Sequence, residues 1–180
     1  MVKKGNSSFV RNIFSMVLMS LFVAIYGVLS LLRIYIIPNE LRLSLTFMPV
    51  AWASILFGPI AGGITGVLGD IVGWAINPVG PFFPGFTVSG FVSGIIYGLF
   101  LYRKEITWKR VIFAAITMIL VVEVLLNSIW LYILTGNAYK VLVVARLIKA
   151  LITIPIQILI LYTTGSLVKK FAPASVRGVL

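Results

Sequence analysis

Six apolar runs, parted by short polar or proline–glycine interruptions, make up nearly the whole chain. The first covers residues 9–37 and is long enough to cross a bilayer with some tilt. The second, 43–57, stops at Gly58-Pro59, and the third, 60–76, follows at once. Both are short against the ~20 residues a span needs. They are expected to form a close helical pair, one or both incompletely spanning or broken. The fourth, fifth and sixth cover 86–102, 111–134 and 141–168. The pattern predicts an all-α membrane protein: one integral membrane domain over residues 1–180 with six transmembrane helices.

The interruption at 77–87 breaks the pattern in an unusual way. It holds three prolines, two glycines and three phenylalanines, Phe82, Phe83 and Phe86. Proline lacks an N–H and clashes with the preceding turn, so no regular helix passes through. Yet the stretch is too apolar for an ordinary solvated loop. It reads as a stiff aromatic segment that covers or lines something.

Composition supports the bilayer as solvent. The 180 residues are 61% hydrophobic and only 11% charged, with mean hydropathy +1.13, whereas soluble domains carry about 25% charged residues. The N-terminal run is too long for a cleaved signal peptide and has no small-residue cleavage site after it. The net charge of +11 reflects topology rather than nucleic acid, because cytoplasmic loops collect Lys and Arg. Lys3 and Lys4 precede the first run and Arg11 lies at its start. Arg103, Lys104, Lys109 and Arg110 lie between the fourth and fifth, and Lys169, Lys170 and Arg177 follow the sixth. Six spans put all three groups on one side, so both termini are expected in the cytoplasm. The loops around 38–42, 77–87 and 135–140 then fall outside.

Few ionisable residues interrupt the runs, and such residues usually face a cavity or one another. Arg33 lies near the outer end of the first run and Asp70 past the middle of the third. Glu123, Asn127 and Trp130 share a face of the fifth, and Arg146 and Lys149 share a face of the sixth. All fall in the outer half or near the midplane, while the inner halves are almost purely apolar. A channel or a continuous proton path needs polar groups at every depth. The asymmetry predicts instead a pocket open outside and closed below, with Trp52, Trp74, Trp130, Tyr132 and the three phenylalanines around it. Such a site suits a flat, heteroaromatic, anionic ligand. Asp70 paired with an arginine, or Glu123 paired with Arg146 or Lys149, could equally hold helices together. Gly62, Gly66, Gly69 and Gly73, then Gly90, Gly94 and Gly98, recur at steps that let two helix backbones approach closely.

Other chemistries are excluded. With no cysteine or histidine, thiol catalysis, the usual zinc ligands and a catalytic triad are absent. No Walker A pattern and no carboxylate cluster suited to a metal occur. No catalytic residue and no cofactor are expected.

The sequence also resembles the substrate-binding S components of energy-coupling-factor (ECF) vitamin transporters, and among them the folate-specific type. The resemblance spans essentially the whole chain. It rests on Arg33, Met48-Pro49-Val50, Phe57-Gly58-Pro59 with Gly62 and Gly66, Gly69-Asp70, Pro81-Phe82-Phe83-Pro84-Gly85-Phe86-Thr87 and Tyr97-Gly98. It implies an S-component bundle in a bacterial plasma membrane, with an extracellular-side pocket for folate or a related reduced folate. It also implies docking on a transmembrane coupling protein of the EcfT type, driven by two cytoplasmic ATPases. On this chain the docking spacing falls on Ser20 and Ala24. The expected lining set is Arg33, Asp70, Phe83, Phe86, Asn127, Trp130, Arg146 and Lys149. An S component for another heteroaromatic vitamin, a self-sufficient ion-coupled transporter and an intramembrane enzyme are the alternatives.

Overall fold

The computed structural model describes residues 13–32, 34–37, 41–78, 80–136 and 139–171. Among the described residues the chain forms six helices: α1 (Ile13–Leu31), α2 (Phe47–Phe57), α3 (Pro59–Ile76), α4 (Pro84–Leu101), α5 (Trp108–Thr135) and α6 (Tyr139–Phe171). Four of them, α3 to α6, contain stretches long and apolar enough to cross a membrane. The 11 residues of α2 rise only about 16 Å, half of a bilayer core, so the short second run is an incomplete span. Apolar side chains such as Leu68, Val88, Phe113, Leu125 and Leu159 stand exposed, as expected where the surroundings are acyl chains.

The first helix is shorter than its apolar run. Helix α1 ends at Leu31, and Ile34–Ile37 forms a strand, β1, paired antiparallel with β2 (Leu41–Leu43). The expectation of helix to residue 37 is therefore corrected. The Ile-Tyr-Ile-Ile run is β-branched and aromatic, which favours an extended chain, and hydropathy alone does not register that preference. Residues 9–12, at the other end of the same run, lie outside the described residues.

Gly58 explains the sharp reversal between α2 and α3. Its φ of 98° is a conformation an L side chain rarely adopts, and Pro59 then starts α3 at a position where a missing N–H costs nothing. Helices α3 and α4 form the most extensive helix pair among the described residues, and glycine is the reason. A Cβ at Gly90 would lie 2.8 Å from the Gly66 carbonyl oxygen, and one at Gly66 or Gly94 would collide with backbone of the opposite helix. Ser54 ties α2 into this seam, its Oγ donating to the Val50 carbonyl at 2.7 Å and the Gly94 carbonyl at 2.9 Å.

The remaining core is a layer of Val50, Ile55, Ile96, Tyr97, Leu101, Val111, Met118, Ile119, Val122 and Leu161. At one end of the bundle basic side chains gather. Lys169 donates to the Lys104 carbonyl and Arg110 to the Glu105 carbonyl, so the end of α6 sits against the α4–α5 turn. The hairpin and the 77–83 segment lie at the other end.

Helix α5 is not α-helical throughout. Residues Ile119–Leu126 form a π segment, and the Asn127 amide donates to the Val122 carbonyl, five residues back. Such segments are rare and are found frequently at functional sites.

Candidate functional site

Two chambers adjoin: the inner one opens between the α3–α4 seam and the α5–α6 wall, and the outer one between α1, the β2–α2 turn, α3 and residues 81–83 ahead of α4. The inner one, of about 170 Å³, is lined by residues of α1 through α6, among them Val50, Ser93, Met118, Glu123, Asn127, Lys149, Thr153 and Gln157. The outer one, of about 310 Å³, is lined by Ser30, Gly73, Trp74, Asn77, Pro81, Phe82 and Phe83. Tyr26, Ser44, Thr46, Asp70 and Phe86 line both. Met118, Val122 and Val50 also belong to the core layer, which closes the cavity from below.

The outer chamber is aromatic because the 77–83 segment is held stiffly. Asn77 Nδ2 donates to the Ser30 carbonyl at 2.9 Å, and Trp74 Nε1 donates to the Gly80 carbonyl at 3.2 Å. Gly80 has φ 78°, which its lack of a Cβ permits. The Trp74 ring meets Phe82 edge-on at 5.3 Å. Phe83 contacts Phe86 at 6.1 Å and Trp130 at 5.8 Å between ring centres. A Cβ at Gly85 would collide with the rings of Phe83 and Trp130, so glycine is what lets them meet. Trp130 in turn donates to Ser89 Oγ at 3.0 Å, and Ser89 lines the inner chamber.

The inner chamber is the polar one. Asp70 accepts a 2.7 Å hydrogen bond from Thr87 Oγ1 through Oδ2 and has no cation within ion-pair distance among the described residues. Opposite it, Glu123 Oε2 takes Arg146 at 3.0 Å and Lys149 at 3.3 Å. Asn127 Oδ1 is buried without a hydrogen-bond partner among the described residues. A buried orphan acceptor costs ~1–3 kcal/mol, which a donor on a ligand would offset. At the bottom, buried Gln157 donates to Tyr97 OH.

Of the expected site residues, the structure brings Asp70, Phe83, Phe86, Asn127 and Lys149 to the cavity wall. Trp130 buttresses that wall through Phe83 and Ser89. Arg146 stands behind Glu123 and does not line either chamber. Arg33 lies outside the described residues. Two aromatics expected around the pocket are elsewhere: Trp52 packs on Phe22 on the far side of α2, 6.0 Å between rings, and Tyr132 is half exposed against Tyr139. Their helices turn those positions away from the cavity, which α2 and α5 reach through Val50 and Asn127.

Tyr26, Ser44, Thr46, Ser93, Thr153 and Gln157 line the cavity and were not singled out by the sequence. One signal was available, since Lys149, Thr153 and Gln157 follow at four-residue steps on one helical stripe. Glu123 also lines the inner chamber, outside the expected lining set.

Ser20 and Ala24 are both exposed on α1. Ser20 lies in an outward-facing apolar groove formed by Met16, Met19 and Val23 with Ile64, Leu68 and Val72 of α3.

Apolar helices, with α2 too short to span, around a cavity closed from below make a ligand-binding membrane protein rather than a pore. The chain belongs to the substrate-specific components of ECF transporters, whose family pattern matches residues 14–164. It is thus a multi-pass membrane protein and a transporter subunit, not an enzyme, in a family that works with an ECF energizing module. Among its relatives, the folate transporter FolT of Clostridium novyi (strain NT) is 43% identical over 130 residues, 72% of this chain and 76% of that protein. The folate transporter FolT of Leuconostoc mesenteroides is 32% identical over 152 residues, 81% of each. A crystal structure of FolT bound with folic acid superposes with a TM-score of 0.74 at 36% identity, covering 82% of this chain and 91% of that one. The S component of a bacterial ECF transporter, at 22% identity and TM-score 0.56 over 86% of this chain and 96% of that one, shares the fold.

Proposed function

We propose that this chain binds folate, or a related reduced folate, with high affinity in the two-chambered cavity and serves as the binding subunit for its ATP-driven uptake. The observation that carries the reading is the division of the cavity into an aromatic outer chamber and a hydrogen-bonding inner one. Folate is divided the same way. Its pterin has a flat face and an edge of donors and acceptors, its benzoyl ring is a second flat surface, and its glutamate is anionic. Small-molecule sites are ~300–1,000 Å³. The inner chamber alone is too small, and the adjoining pair is large enough for an elongated ligand.

In this reading the pterin enters the inner chamber, where Asp70 and Asn127 Oδ1 accept from its N–H groups and Lys149 donates to an acceptor. The benzoyl ring lies against Phe83 and Phe86, with Trp130 behind them. The glutamate faces the mouth of the outer chamber. FolT bound with folic acid, at 36% identity, supports the substrate class.

The basic end of the bundle faces the cytoplasm by the positive-inside rule, which turns the cavity outward across a bacterial plasma membrane. The groove at Ser20, with Ala24 beside it, is where α1 would meet an EcfT-type coupling protein, since small residues let helices approach closely in lipid. Two cytoplasmic ATPases would supply the hydrolysis.

Mass spectrometry of small molecules released from the detergent-purified chain tests the substrate. A folate is the expected result. A different heteroaromatic vitamin would keep the family and discard the substrate. Uptake by this chain alone in liposomes, without ATPase partners, would overturn the binding-subunit reading.

A further inference from the structure

The two cations of the α5–α6 wall differ in what they touch. Arg146 spends one guanidinium nitrogen, Nη1, twice on the same residue, donating to the Glu123 carboxylate at 3.0 Å and to the Glu123 main-chain carbonyl at 2.9 Å. Lys149 makes a single, longer contact of 3.3 Å to the same carboxylate oxygen. Lys149 and Glu123 line the inner chamber, and Arg146 does not.

The main-chain contact has a local cause. In an α-helix the Asn127 amide would donate to the Glu123 carbonyl. In the π segment it donates to Val122 instead, and Arg146 delivers a charged donor to the Glu123 carbonyl at this junction. Charge-assisted hydrogen bonds are the stronger kind, so Arg146 fixes both ends of Glu123. One carboxylate then holds two cations, and the uncompensated positive charge lies on the member with the weaker commitment and the open face, Lys149. Its Nζ has three donors and a single acceptor among the described side chains.

We infer that Lys149 is the cation that meets the ligand, and that Arg146 is a positioning residue acting on Lys149 through the Glu123 carboxylate that both cations share. The inference rests on the cavity being the ligand site. It predicts a preference for a ligand that offers an acceptor or an anionic group beside Glu123, and it separates two residues that charge and spacing alone make equivalent.

The test is calorimetric titration of folate into the detergent-purified chain, with the melting temperature of each variant measured without ligand. Lys149→Gln should weaken binding about 30-fold or more with little change in melting temperature. Arg146→Gln should weaken binding and also lower the melting temperature more than Lys149→Gln does. Arg146→Lys should restore part of both. The deciding comparison uses Glu123→Gln as background, itself about tenfold weaker: there Arg146→Gln should add less than a twofold loss, while Lys149→Gln keeps most of its effect. An Arg146→Gln loss as large in that background as in the parent would overturn the inference, because Arg146 would then touch the ligand itself. If the parent chain does not bind folate, the substrate reading fails, and the melting temperatures alone decide the division of roles: Lys149→Gln as destabilising as Arg146→Gln would overturn it.

Discussion

The α3–α4 seam and the α5–α6 wall face each other across the cavity and are built on opposite principles. The seam is backbone against backbone, with Gly66 and Gly90 so close that neither tolerates a Cβ. In lipid no hydrophobic gain separates one helix pair from another, so close packing of this kind is what holds helices together. The wall is side chain against side chain: a π segment, a carboxylate shared by two cations, and an asparagine acceptor and a serine hydroxyl without partners among the described residues. The difference assigns rigidity to one side of the site and adaptable polarity to the other. Asp70 stands on the rigid side, where Thr87 fixes its orientation. Lys149 and Asn127 stand on the side that has room to adjust.

That contrast can be broken most severely at the seam. Gly94→Val places a branched side chain into the backbone of Gly62 and Gly63, and neither helix has a side chain to move aside. Overpacking typically costs ~1–3 kcal/mol and more where nothing relaxes. The expected outcome is loss of monodisperse protein on size exclusion, and a folded variant with an unchanged melting temperature would refute the interlocked seam. A smaller effect is expected from Phe83→Ala, which removes the ring between Phe86 and Trp130. Folate binding should fall by about 2 kcal/mol, in line with truncating a buried aromatic anchor, while the fold survives.

Thr87→Val sharpens the comparison on the rigid side. It keeps shape and removes the one side-chain hydrogen bond that Asp70 accepts among the described residues. A hydrogen bond to a charged group contributes ~1.5–3 kcal/mol, so affinity should drop roughly tenfold by titration, whereas unchanged affinity would release Asp70 from its fixed role. The smallest effect belongs to the wall. Ser128 is fully buried and its hydroxyl has no partner among the described residues. Removing an unsatisfied group is neutral or stabilising, so Ser128→Ala should raise the melting temperature slightly. A loss of more than ~1 kcal/mol would mean that the hydroxyl is engaged.

Much of this was legible in the chain, for physical reasons that can be named. Hydropathy located six helices because the bilayer demands long apolar runs with their backbone bonded internally. The glycine spacing announced the seam. Asp70, Glu123, Asn127 and Lys149 stood out because polar groups in apolar spans are costly enough to need a reason. Tyr26, Thr46 and Ser93 did not stand out, since neutral hydroxyls are ordinary in apolar segments and find local partners, as Ser93 does on the Gly90 carbonyl and Thr46 on Ser44 Oγ. Which way a position faces was the harder question. Trp52 and Tyr132 were aromatic at a plausible depth, yet they turn away from the cavity. The π segment left no sequence mark, and it places the Glu123 carbonyl where Arg146, rather than Asn127, supplies a donor.

The central claim is that one cavity, between a glycine seam and a charged wall, holds the ligand. Titration of folate into the purified chain and into Asn127→Leu tests it most directly. Saturable one-to-one binding by the parent chain is expected, with a loss of tenfold or more in the variant, whose side chain keeps its volume and lacks the buried acceptor. Folate binding of undiminished affinity by Asn127→Leu, or no saturable binding by the parent, would contradict it.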